Sequence, residues 1–152
     1  MNLLRNARSL SLLSALAVLP AQAAGPVFIA WTMQDDGIVE PLGGLRGDAQ
    51  RGRAVVIRQD KGNCLTCHAL PIPEESFHGT LGPSLVGVGA RLSEAQLRLR
   101  VADEQRLNPR SVMPGFYRDP NTLNQVAWEY AGMTLLTAQD VEDVVAYLGT
   151  LR

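Results

Sequence analysis

Cysteine is scarce in this 152-residue chain. Its two cysteines allow at most one disulfide, which excludes a disulfide-built scaffold. No stretch of 18 or more apolar residues occurs, so no membrane-spanning helix is expected. No long basic run occurs and the formal net charge is −1, which argues against a dedicated nucleic-acid binder. Alternating strand patterns and internal repeats are also missing. What is present is ordinary for a folded protein. Hydrophobic residues make up 46% and charged residues 19%, enough apolar material for a core. The length suits one domain. The periodic segments are helical, so an all-α fold is expected.

The first 24 residues read as a secretory signal peptide rather than as part of the fold. Arg5 and Arg8 make a short positive region, and Ser9 to Leu19 form an apolar stretch of the expected length. Pro20 breaks it, and Ala21-Gln22-Ala23 supplies a small-x-small cleavage site. Export in a bacterium leads to the oxidising periplasm. No cysteine follows the apolar stretch, so a lipid anchor at a new N-terminal cysteine is not expected. The remaining chain carries one lysine and 11 arginines against all 15 acids.

Exported cysteines usually pair, but the spacing here points elsewhere. Residues 64 to 68 read Cys64-Leu65-Thr66-Cys67-His68. A C-x-x-C-H run is the attachment signature of c-type haem. Each thiol adds across one vinyl group, and the two-residue spacer sets both sulfurs along one porphyrin edge. His68 then falls beneath the ring, where its imidazole reaches iron. A thioredoxin-like pair needs no following histidine and sits in a βαβ setting, which this pattern lacks. A four-ligand zinc site would need two more ligands, yet among Cys and His only His78 is left.

Helices are expected on both sides of the motif. Asp48 caps a helix beginning at Ala49 and running to Arg58, with Ala49, Gly52 and Val56 on one face. Residues 69 to 90 form a Pro/Gly-rich loop of a length suited to wrapping a haem. Ser93 opens a helix of about ten residues, with Gln96 completing a capping box. A second loop, Arg106 to Asn121, carries Pro109, Pro114, Gly115 and Pro120. The last helix starts at a Thr137 cap and runs through Leu148. Val141, Val144, Val145 and Leu148 share its apolar face. Asp140, Glu142 and Asp143 lie in or near its first turns, where the helix dipole favours acids.

From about residue 48 to 151 the sequence resembles the class I c-type cytochromes. The resemblance rests on the Gly52 helix, the C-x-x-C-H run, the Gly-Pro loop, a methionine in a Pro-flanked loop, and a last helix with Tyr147. It implies that the first and last helices cross closely, with Gly52 permitting the approach and Tyr147 packing over it. Taken alone, Gly82-Pro83 is only a turn. The resemblance makes the Pro83 carbonyl the acceptor of the His68 Nδ1 proton, which fixes the ring and its basicity.

A second axial ligand is expected from Met113, in the stiff loop Ser111-Val112-Met113-Pro114-Gly115. Met133 and His78 are the alternatives, and Met33 precedes the domain. Any of these methionines also serves as core filling. A closed His/Met iron leaves no substrate position, which points to electron transfer rather than oxygen binding or peroxidase work.

Four stretches narrow the resemblance to the SoxX family of monohaem cytochrome subunits. They are Gly62 to His68, Gly79 to Leu85, Asn108 to Pro114 and Leu136 to Leu148. The family also carries a segment ahead of its haem domain, here residues 25 to 47, leaving 48 to 152 as the cytochrome domain. The resemblance implies a heterodimer with a SoxA-type cytochrome that holds the catalytic haem. It further implies oxidative coupling of thiosulfate to a cysteine of the carrier SoxYZ, with electrons leaving through a small acceptor cytochrome c. The other expectation is a free-standing electron carrier.

Charge and hydropathy add two open points. Residues 91 to 118 hold six arginines against three acids, a basic patch for a partner or a solvated face with local ion pairs. Val27, Phe28, Ile29, Trp31 and Ile38 need cover, either from the domain itself or from another chain.

Overall fold

The computed structural model describes residues 27–124 and 126–152. The expected signal peptide lies outside them. Among the described residues four α-helices make the frame: α1 (Ala49–Ile57), α2 (Val88–Arg91), α3 (Glu94–Asp103) and α4 (Ala138–Thr150). Among the described residues no strand forms, only an isolated bridge between Gln34 and Gly37. None of the described helices is long and apolar enough to cross a membrane.

Short-range chemistry places the helix starts. The Asp48 carboxylate accepts from Arg51 N at 2.8 Å and opens α1. Ser93 and Gln96 close a reciprocal capping box on α3, and Thr137 and Asp140 do the same on α4. α1 ends one residue earlier than expected, where Arg58 turns extended. α4 continues two residues past Leu148. The expected 69–90 loop ends in α2, a single turn whose Gly89 N–H donates to Leu151 O at 2.8 Å. Four residues carry no readable period.

α1 and α4 form the largest helix contact of the described residues. A Cβ built on Gly52 would lie 1.8 Å from Asp143 O and 2.9 Å from Tyr147 Cβ. Only a glycine permits that approach. Val56, Val141, Val144, Val145, Leu99 and Ile72 are fully buried in the core.

Asp140 lies in the first turn of α4 as expected, but the acids of this helix do more than complement its dipole. Asp140, Glu142 and Asp143 are all buried, and each has a distant cationic partner. Asp143 accepts two bonds from Arg51 at 2.7 and 2.8 Å and a third from Asp48 N. Arg98 grips Glu142 with two bonds at 2.7 and 2.9 Å, both side chains 3% exposed. Lys61 Nζ reaches Asp140 at 2.6 Å. These pairs tie α1, α3 and the approach to the cysteine motif onto one helix. A buried pair of this kind fixes a geometry more than it adds net stability.

The segment ahead of α1 lies across its own domain. Ile29 N donates to the Tyr117 hydroxyl at 2.8 Å, Trp31 Nε1 donates to Tyr117 O at 3.1 Å, and the Phe28 and Tyr117 rings sit 5.1 Å apart. Further along, Ile38 N bonds Ala95 O at 3.0 Å, and Leu42 N bonds the Glu142 carboxylate at 2.8 Å. Arg98 Nη1 donates to Ile38 O. Of the two covers expected for these apolar residues, the domain supplies one. Phe28, Ile29 and Trp31 pack on the core, while Val27 stays exposed.

Candidate haem site

Cys64, Leu65 and Thr66 form one 3₁₀ turn. It opens at Asn63, whose positive φ of 46° suits asparagine better than most residues. Thr66 Oγ1 donates to Asn63 Oδ1 at 2.7 Å, and buried Leu65 roots the turn in the core. Cys67 N and His68 N both donate to Cys64 O, at 3.1 and 2.9 Å. One coil of chain therefore carries both sulfurs and the imidazole.

The following loop folds back along this coil. Gly79 N bonds Leu65 O at 2.7 Å, Gly82 N bonds Cys67 O at 2.8 Å, and Leu85 N bonds Ala69 O at 2.9 Å. A Cβ on Gly82 would fall 2.3 Å from His68 Cε1, so bare backbone passes over the ring. This delivers Pro83 O to 2.7 Å from His68 Nδ1. A carbonyl only accepts, so Nδ1 carries the proton and Nε2 keeps its lone pair for a metal.

Burial pushes the Cys64 thiol up to about 11, with the neighbouring Cys67 adding to the rise against backbone hydrogen bonding. Such surroundings suit a neutral thioether. Among the described residues, no group of three or more His, Cys, Asp or Glu is placed to hold a metal. Two free thiols on one turn, a buttressed imidazole and a glycine that admits the loop fit covalent haem.

His78 is engaged on both ring nitrogens. Nδ1 accepts from Leu70 N at 3.1 Å, and Nε2 faces the carbonyls of Glu75 and Ile72 at 3.1 and 3.2 Å. Its work is to hold the 70–79 loop. Met133 is half exposed in a cleft of about 370 Å³ with Val112, Leu123, Val126, Tyr130 and Leu135. Met113 is partly buried against the core, and its backbone is held at both ends. Its N–H donates to Ser111 Oγ at 3.2 Å, and its carbonyl accepts from Gln105 Nε2 at 3.1 Å.

A family model for cytochrome c matches residues 49–152. The chain belongs to the cytochrome c family. The cytochrome is 30% identical over 119 residues to a cytochrome c-553-like protein of Synechocystis, covering 78% of this chain and 84% of that protein. It also superimposes on a chain in the crystal structure of SoxXA from P. pantotrophus. There the TM-score is 0.72 and the identity 32%, over 80% of this chain and 93% of that one. The all-α class I fold and the SoxX-type resemblance both hold at this level. Family membership implies covalently bound haem c.

The sequence leaves the basic stretch open between two readings and gives no sign of Gln105. Within 91–118, Arg98, Arg100 and Arg118 form ion pairs with Glu142, Glu104 and Asp103, so half of the six arginines are paired. Arg91 is bound to the carbonyls of Val86 and Ser84. Gln105 was not singled out, since a lone glutamine after a helix carries no local signal.

Proposed function

We propose that this cytochrome is the electron-transfer subunit of a periplasmic heterodimer with a SoxA-type cytochrome. The observation that carries the reading is its likeness to a chain of the SoxXA structure over most of both chains. In this reading residues 1–24 are an export signal, 25–47 an extension whose described part (27–47) straps the domain, and 48–152 the haem-bearing unit. Cys64 and Cys67 hold one haem through thioether bonds. His68, oriented by Pro83 O, would hold the iron through Nε2, and Met113 would supply its thioether as the second protein ligand.

Bound haem c supplies a one-electron iron couple. The soft, neutral Met113 sulfur favours the reduced form and raises the potential. Two protein ligands leave no position for a substrate, so the chain moves electrons rather than atoms. Both cysteines are committed, so the sulfur chemistry falls to the partner. There, thiosulfate couples to a cysteine thiol of a SoxYZ-type carrier. A sulfur–sulfur bond forms, the thiol proton is lost and two electrons leave, one at a time, through this subunit to a small acceptor cytochrome.

The strap is covered by its own domain, which also suits a free-standing carrier. Isolation of the C-terminally tagged protein from native periplasm separates the two. A stoichiometric second c-type cytochrome, with thiosulfate-coupling activity only in the pair, is expected. A haem-loaded monomer that retains no partner would replace this reading with the free carrier.

A further inference from the structure

Between α3 and the Met113 loop lies a small polar network that no part of the haem motif requires. Asp103, buried at the end of α3, receives Arg118 in a fork: Nε at 2.8 Å and Nη2 at 2.5 Å. The same Nη2 donates to Gln105 Oε1 at 2.6 Å. With its oxygen fixed, the Gln105 amide has one orientation, and its Nε2 points at the loop. That nitrogen donates to Ser111 O at 2.9 Å and to Met113 O at 3.1 Å. Arg118 lies against Gly115, where a Cβ would stand 2.3 Å from its Nε. The network thus touches both flanks of Met113.

We propose that Gln105, oriented by Arg118 and Asp103, is a positioning residue that holds Met113 against the iron. The proposal rests on Met113 being the axial ligand. Two carbonyls, one on each side of Val112, converge on a single amide group. The loop cannot swing outward without breaking both bonds together. A ligand loop opens only as often as its restraints allow, and an external ligand binds iron in proportion to the open fraction. Two neutral hydrogen bonds hold back opening by about tenfold or more.

The test is imidazole binding to the oxidised holoprotein, read with the red methionine–Fe(III) absorbance band. Three variants are compared with wild type: Gln105→Leu, Gln105→Glu and Met113→Ala. Gln105→Glu keeps the length and an acceptor for Arg118 but donates nothing to the loop, so the fold survives while the restraint is lost. The expected result is imidazole affinity about tenfold higher in both Gln105 variants, a weakened red band, and an unfolding midpoint for Gln105→Glu near wild type. Met113→Ala should lose the band and bind imidazole most tightly. If Met113→Ala does so while Gln105→Glu matches wild type in affinity and band, the positioning role is overturned and the ligand assignment stands. If Met113→Ala leaves both readouts unchanged, the assignment and the positioning role fall together.

Discussion

Replacing Gly52 by alanine sets two effects of opposite sign against each other. In an exposed helix interior, alanine is better than glycine by about 1 kcal/mol. At Gly52 the new Cβ would stand 1.8 Å from Asp143 O and 2.4 Å from Asp143 C. Ordinary contact begins at about 3.5 Å, so α4 must retreat by roughly 1.5 Å. The obstacle is helix backbone, which no rotamer change removes. The residue forced back is also the one gripped by Arg51 and by Asp48 N, so the retreat stretches three short hydrogen bonds. Overpacking of this kind costs about 3 kcal/mol, leaving a net loss of about 2 kcal/mol. For a domain of this size that lowers Tm by roughly 8 °C. Denaturant unfolding of the holoprotein at pH 7 is the assay, with Ala54→Gly on the exposed side of α1 as control. The control should lose only about 1 kcal/mol through propensity. A Gly52→Ala midpoint equal to or above wild type would refute the close crossing.

The remaining predictions concern the ion pairs and the histidine support. Arg98→Met strands the Glu142 carboxylate in the core and releases Ile38 O, so stability falls by about 3 kcal/mol. Limited proteolysis should then cut within residues 27–47, and adding Glu142→Leu should recover part of the loss. Asp140 and Asp143 both titrate below the usual carboxylate range. Desolvation opposes that shift, but Lys61 with Thr137 outweighs it at Asp140, and Arg51 with Asp48 N and Gln139 outweighs it at Asp143. Their folded values lie below the unfolded ones. Their stabilisation is therefore complete above about pH 4 and is lost as pH falls through the folded values. Unfolding midpoints should hold between pH 7 and 5 and drop below about pH 4, the drop being smaller in Lys61→Met. Gly82→Ala should push the His68 ring off its Pro83 bond. The expected sign is a lower yield of haem-loaded protein and a shifted Soret band.

What was legible in the sequence was local. The caps of α1, α3 and α4 pair a side chain with a backbone group three residues on, so Asp48, Ser93 and Thr137 announce their helices, while α2 starts at Gly87 with no side-chain cap. The cysteine motif is local too, since five consecutive residues carry its chemistry. Gly52, Tyr147 and the Pro83 carbonyl came from resemblance rather than from spacing. The partners of the α4 acids lie 44 to 92 residues away in sequence, and no period links Arg98 to Glu142 or Arg51 to Asp143. The dipole reading of the α4 acids therefore missed that all three are buried against cations from elsewhere in the chain. The apolar strap was recognised as needing cover, but only tertiary contact with Tyr117 decides what covers it. The Gln105 network is invisible for the same reason, because three ordinary polar residues become a clamp only when Arg118 returns to Asp103.

The most direct test of the account is carbon monoxide added to the reduced holoprotein. An iron held by His68 and Met113 has no open position, so the visible spectrum should not change and electron transfer to a small acceptor cytochrome should continue. A prompt, saturable shift of the Soret band in the wild-type protein would show an open sixth position and contradict the electron-transfer reading.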